Sequence, residues 1–470
     1  MSETTAALAN FAIDTGWNDL PDSIVREAKR TLLDHIGCAL GGHATDRGRK
    51  SATVSTELGG GTEASILGLS ERVSCPEAAF SNAELMIALD YSNIVAGGHD
   101  GLYVIPAQLA MAEKASASGE ELLSSIAIGL EVSARLGRAL DKHTLTGEEV
   151  RDRMAQPTGL MTGNAYANFG AAAGASRLLG LDHERTLHAL GIASHLGMIH
   201  SYGRWGNSEQ SYMGKYGIPG WQNTGAIRAT LLAEQDYTGD ITVLDDPERG
   251  YPYFACYDSW YPDRITDELG DEWVFNIRMH YKPYPCCGAF HSALDCFYTI
   301  LDEHDLDPEE IEAVTPYCRS AMKSFPAGGI EGAQFDPGYV FGVAAHRVPR
   351  GPAWYDDATM NDPDIQAFAS KVSCAAHPDY REVRETDPLT ELGKVEVEAR
   401  GQTFTEERRY RRGTTGTEAM LSDDELTAKF HRNAEHVLSS DRIDRTIELL
   451  WNLEEVDDIG RLTRTVASEN

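Results

Sequence analysis

A mainly α fold, with one large all-helical domain and a smaller α+β domain inserted towards its C-terminal end, follows from three observations. The chain has 470 residues, too many for one ordinary hydrophobic core. Apolar residues recur at three- and four-residue spacing through most of the first 260 positions, the period of a half-buried helix. From about Asp263, strand-like runs alternate with helical ones, and unbroken helical spacing returns after residue 421. The predicted division is residues 1–265 with 415–470 for the helical domain and 266–414 for the α+β domain.

Taken in order, residues 5–16 read as a short helix. Asp22 or Ser23 caps a longer one, which Gly41-Gly42 ends. Residues 51–72 are rich in Gly and Thr, with a short hairpin expected around SILGLSERV. Pro76 opens a helix that runs into the loop LDYSNIVAGGHDG. Helices are expected over 106–114 and 120–140, joined by SASG, and residues 141–163 are irregular. NFGAAAGASRLLGLD is dense in small residues that admit a close neighbour, so it is expected at the centre. Helical patterns follow over 183–196 and 221–235. In the second domain, strands are expected over 274–279, 313–318 and 394–400, and helices over 292–304, 333–348 and 363–371. Residues 403–421 read as a charged linker, and 422–438 and 441–453 as closing helices.

Composition narrows the function. There are 73 acidic and 41 basic residues, a net charge of −32, which disfavours nucleic acid and anionic membranes as partners. Dispersed acid with only ten lysines predicts a surface adapted to high salt. No apolar run approaches the ~20 residues of a membrane helix, and the N-terminus has no signal-peptide pattern, so a cytoplasmic protein is expected. The eight cysteines include no CxxC, and the fifteen histidines no HExxH, so no metal site is expected.

Scarce lysine raises the interest of each one that remains. Lys282 lies in YKPYPCCGAFH, a proline-stiffened turn that also carries Cys286, Cys287 and His291. Lys215 ends a Gly- and aromatic-rich loop with His200 and Arg204, cations suited to carboxylates. Asp90 and His99 flank Gly97-Gly98, a carboxylate and an imidazole that together make an orienter and a proton carrier. Each feature also has a plain structural reading: an Asp at a helix end, a solvated loop histidine, buried thiols.

Several stretches together resemble the MmgE/PrpD family: AKRTLLDHIGCALGG, NAELMIALDY, FGAAAGASRLLGLD, LLAEQDYTG, YKPYPCCGAFH and AKFHRNAEHVL, spread over nearly the whole chain. The resemblance implies a helical domain built from both chain ends, a smaller α+β lid, an active site between them, a homodimer and no cofactor. It implies catalytic roles for Asp90, His99, Lys215, Lys282 and Tyr339, the last in the segment AQFDPGY. Arg204, His200, Cys287 and His291 are candidates for binding substrate. Family members include 2-methylcitrate dehydratase, cis-aconitate decarboxylase and iminodisuccinate epimerase. Three departures stand out. Asp90-Tyr91-Ser92-Asn93-Ile94 replaces a common D-F-D-D-T, no histidine occurs near Met161 or Thr162, and Cys287 takes the place of a histidine.

The expected activity is therefore cofactor-independent dehydration of a small hydroxy-polycarboxylate such as 2-methylcitrate, by proton transfer next to a carboxylate. Epimerisation or decarboxylation of a related acid is the alternative. A non-catalytic carboxylate-binding homologue and a hydrolase with Cys287 as nucleophile are readings from other classes.

Overall fold

Three of the first helices start where the sequence supplies a side-chain cap, whereas the helix Asp22–Gly42 begins after Pro21 without the expected cap from Asp22 or Ser23. The structure, a computed structural model, describes residues 4–95, 98–140, 165–197, 212–215, 217–255, 260–322 and 329–468. In chain order the main helices of the first half are α1 (Thr4–Asp14), α2 (Asp22–Gly42), α3 (Asp46–Leu58), α4 (Cys75–Ile87), α5 (Asp100–Ala115) and α6 (Gly119–Ala139). They continue with α7 (Ala167–Leu178), α8 (His183–Leu196) and α9 (Pro219–Glu234). Thr45 accepts from Gly48 N at the start of α3, Asp182 from Arg185 N at α8, and Ser118 forms a capping box with Glu121 at α6.

The small-residue helix α7 is buried from Ala167 to Ser176. A Cβ at Gly170 would stand 2.1 Å from the carbonyl oxygen of Gly129 on α6, so only glycine allows this approach. Around the pair, Leu102, Phe169, Ile126 and Ile227 belong to one continuous apolar cluster.

The α+β region holds α10 (His291–His304), α11 (Pro337–Ala345) and a four-stranded sheet. A short hairpin of β1 (Ala64–Ser65) and β2 (Arg72–Val73) precedes it in the chain. The sheet contains β3 (Ile311–Cys318), β4 (Ala375–Ala376), β5 (Gly393–Ala399) and β6 (Gln402–Arg408), in the order β4-β3-β5-β6. The β3–β4 pair is parallel and the others are antiparallel. Phe297, Val314, Phe341, Val395 and Val397 form a second apolar cluster, which also takes in Cys38, Leu89 and Tyr91 from the first half. Two longer helices near the C-terminus, α12 (Asp423–Ala434) and α13 (Ser440–Trp451), return to the first cluster. Gly37 on α2 brings that helix against Phe430 of α12, where a Cβ would lie 3.0 Å from the ring.

Three expectations need correction. Residues 274–279 form turns rather than a strand, because the amides of Val274 and Phe275 donate to the Glu131 carboxylate (2.8 and 3.0 Å) instead of to a sheet. Residues 46–58 form a capped helix whose polar face concealed its period. Residues 402–408 are an edge strand rather than linker, mostly exposed and hence without an alternating apolar pattern.

Candidate active site

The turn that carries Lys282 is fixed from three sides. His280 exchanges backbone hydrogen bonds with Ile94, 2.9 Å each way. Tyr281 N donates to Gly413 O, and the Tyr281 hydroxyl donates to Glu27 at 2.5 Å. Gly413 has φ +98°, and a Cβ there would collide with the Tyr281 carbonyl at 1.8 Å. Tyr91 then donates to Pro283 O at 3.2 Å. The Lys282 ammonium donates to the carbonyls of Asp90 (2.8 Å) and Cys286 (3.3 Å) and lies 3.0 Å from Asp90 Oδ2.

Asp90 sits just beyond α4 in the left-handed region, φ +51°, a costly conformation for a residue with a Cβ. Its side chain is fully buried. On its other side, Lys215 Nζ stands 3.8 Å from Oδ1 and is also fully buried. Neither carboxylate oxygen of Asp90 accepts a geometrically aligned hydrogen bond among the described residues. The expectation that Asp90 orients His99 by a hydrogen bond is therefore not met: two ammoniums, not an imidazole, take this carboxylate. His99 stands half-buried at the N-terminal boundary of α5, past a turn closed by Val95 and Gly98 (2.8 Å).

Burial pushes the Lys215 ammonium down to about 8, against the opposing pull of Asp90 and with the repulsion of Arg47 and Lys282. Lys215 also donates to Gln334 Oε1 and lies 5.5 Å from the centre of the Phe335 ring. Gln334 joins three parts of the site. Its amide donates to Ala88 O at 2.9 Å and its own carbonyl accepts from Cys287 N at 2.9 Å. Gln334 carries no signal of this role in the sequence, because its neutral amide offers no titratable chemistry, although it stands five positions before Tyr339.

The remaining candidates fall in different places. Cys287 is buried beside this cluster, and burial pushes its thiol and that of Cys286 up, so neither is a ready thiolate at neutral pH. His291 points back into the protein, with Nε2 3.2 Å from the Cys286 carbonyl and its ring edge-on to Tyr284 at 5.3 Å. Burial first, and then Lys282 and Arg411, push its imidazole well below the usual range. Its Nδ1 is buried without a hydrogen-bond partner. The hydroxyl of Tyr339 donates to the Trp354 carbonyl and its ring stacks on Tyr355 at 6.1 Å. His200 and Arg204 lie outside the described residues, as do Met161 and Thr162.

One of the sequence departures has a structural account. Asn93 N donates to Asp34 Oδ2 at 2.8 Å, and its amide to Thr31 Oγ1 at 3.3 Å, so Asn93 ties the loop to α2. Lys429 of α12 completes the tie, donating at 2.6 Å to both Asp34 Oδ1 and the Tyr91 carbonyl. A second charged group missed by sequence reasoning surrounds Glu391. Although burial works against it, Arg384, Arg411 and Arg319 hold that carboxylate far below its usual range. Arg411 reaches the Gly288 carbonyl (3.2 Å) immediately after Cys287.

Two ammoniums face the Asp90 carboxylate in a buried place, and the Glu331 carboxylate also acts on Lys215. Such a site suits an anion with at least one carboxylate, and Lys215 can give up a proton near neutral pH. The chain is similar to the cis-aconitate decarboxylase-like protein oryM of Aspergillus oryzae, 23% identical over 99% of this chain and 97% of that protein. It is similar to the cis-aconitate decarboxylase of Mus musculus (25%; 99% and 93%) and to that of Aspergillus terreus (23%; 98% and 95%). The MmgE/PrpD N-terminal domain matches residues 6–261 and the MmgE/PrpD C-terminal domain residues 284–455. With matches over most of its length, the chain belongs to the MmgE/PrpD family.

Proposed function

We propose that the protein is a lyase that cleaves a bond in a small polycarboxylate by moving a proton at a carbon next to a carboxylate. The observation that carries this reading is the pair of buried lysines facing the single carboxylate of Asp90. Lys282 is held by backbone carbonyls and serves as the fixed cation for a substrate carboxylate. In the dehydration of a hydroxy-polycarboxylate such as 2-methylcitrate, His99 takes the proton from carbon. Lys215 gives a proton to the hydroxyl, which leaves as water with its bonding pair. Tyr339 would need to release the Trp354 carbonyl before acting on substrate, so its role here is to shape the wall.

A second reading is decarboxylation of an unsaturated tricarboxylate, favoured by the names of the relatives. There the C–C bond breaks, carbon dioxide leaves without the bonding pair, and Lys215 or His99 protonates the carbon that keeps it. In either reading the 266–414 region closes on the helical one, and two copies form the working unit. Light scattering at twice the chain mass would support the dimer.

The test is turnover in molar salt. 2-Methylcitrate, citrate and cis-aconitate are offered separately and followed by NMR. An unsaturated tricarboxylate formed from either of the first two supports dehydration. Loss of carbon dioxide from the third supports decarboxylation. Binding of all three without any product would overturn the enzyme reading in favour of a carboxylate-binding protein.

A further inference from the structure

Behind the active-site loop lies a cavity of about 380 Å³, between α12 and the segment that follows α11. Five cations line it, Arg347, Arg350, Arg412, Lys429 and Arg432, against the one carboxylate of Glu425. In a chain with a net charge of −32, such a concentration is improbable as surface statistics. Three of the cations are already paired: Arg347 with Asp302 (2.6 Å), Arg412 with Glu425, and Lys429 with Asp34 (2.6 Å). Arg350 and Arg432 have no carboxylate partner among the described residues. The Arg350 guanidinium lies 4.6 Å from the ring centres of both Tyr284 and Tyr298. The Arg432 side chain bonds the Tyr91 hydroxyl, and its Nε is buried without a hydrogen-bond partner. Two guanidinium forks thus face a cavity large enough for a tricarboxylate with water.

The cavity is distinct from the Asp90 cluster but adjoins it. Its wall includes Tyr91 and Pro283, the residues that directly follow Asp90 and Lys282. We propose that this cavity is a second binding site, for a small anion bearing two or more carboxylate or phosphate groups, with Arg350 and Arg432 as its principal contacts. The inference stands apart from the proposed reaction, because it rests on none of the residues assigned to it.

Titration calorimetry on the full chain tests it, in a Lys215→Met background that disables the Asp90 cluster as a competing anion site. Citrate and pyrophosphate serve as separate probes. One equivalent of either is expected to bind. Citrate alone would make the natural ligand a polycarboxylate, pyrophosphate alone a phosphate compound, and both the shared chemistry. Replacing Arg350 and Arg432 together by glutamine should weaken binding at least tenfold. Arg347→Gln, at an exposed position that does not risk the fold, should weaken it about threefold. No binding of either probe, or affinity unchanged by Arg347→Gln and by the double variant wherever it folds, would overturn the proposal.

Discussion

Two buried ion clusters of this protein are built to opposite rules. At Glu131 and Arg135 every group has a partner. The Glu131 carboxylate accepts from Val274 N, Phe275 N and Arg135 Nε at 2.6–3.0 Å. Arg135 spends its other hydrogens on the carbonyls of Ile265, Asp267, Glu268 and Glu272. Charge there balances one to one. At Asp90 one carboxylate faces two lysines, its oxygens accept no aligned hydrogen bond, and its backbone is held at φ +51°. The first cluster is saturated and holds the chain; the second leaves both oxygens of its carboxylate without an aligned donor among the described residues. Fully satisfied networks rigidify, and incomplete ones carry the chemistry.

The contrast breaks most visibly if mutations at the two clusters produce the same phenotype. Lys282→Ala should lower kcat/KM by about 10³-fold, the cost of losing one preorganised charge on the reacting anion. Its unfolding midpoint in urea should change little by comparison. Arg135→Met should do the reverse. It strands the buried Glu131 carboxylate and costs about 3–5 kcal/mol of stability in urea titrations, with kcat retained below the melting temperature. A large stability loss in the first variant, or lost turnover in the second at low temperature, would erase the distinction.

pH sharpens the same comparison. Lys215 titrates near 8 when folded and near 10.4 when unfolded, so the unfolded chain binds more protons between those values. Its contribution to stability therefore rises with pH across that window. Activity that needs the ammonium moves the other way: kcat/KM should fall about tenfold per pH unit above 8, and Lys215→Met should abolish that limb. A bound anion favours the ammonium, so the corresponding limb of kcat should lie at higher pH. Smaller again, Gln334→Ala should cost roughly tenfold in kcat/KM, the value of one buried hydrogen bond at ~1.4 kcal/mol, and displace the alkaline limb. Smallest per residue is the surface term. With screening reaching ~10 Å at 0.1 M and ~3 Å at 1 M salt, the melting temperature should climb by several degrees between those concentrations. A flat profile would show that the −32 charge does not burden this fold.

The helices and the main strands were legible because their periods survive in the sequence. Helix α3 was not, because its register is set by the Thr45 cap rather than by an apolar stripe. The turn at 274–279 was hidden for a different reason: a carboxylate 143 residues away takes its first amide. Lys215 and Lys282 stood out because scarce lysines among Gly, Pro and aromatic residues are rarely surface decoration, and Asp90 because it flanks Gly97-Gly98 with His99. That they meet at one point is a property of the fold, since they are separated by more than sixty positions. The positive φ of Asp90 and the role of Gln334 left no local trace at all. His291, a stand-in by position for a histidine, lies with Nε2 against the Cys286 carbonyl and Nδ1 buried without a hydrogen-bond partner.

The tie between Lys429, Asp34 and the Tyr91 carbonyl has a consequence for the order in which the protein is made. The loop that carries Asp90 emerges from the ribosome early, while the ammonium that braces it is encoded more than three hundred residues later. The helices of the first half can pack as they appear, yet the loop of Asp90 lacks its brace until α12 docks on α2. A chain that stops before residue 429 should thus collapse around the first apolar cluster with the Asp90 loop still unbraced.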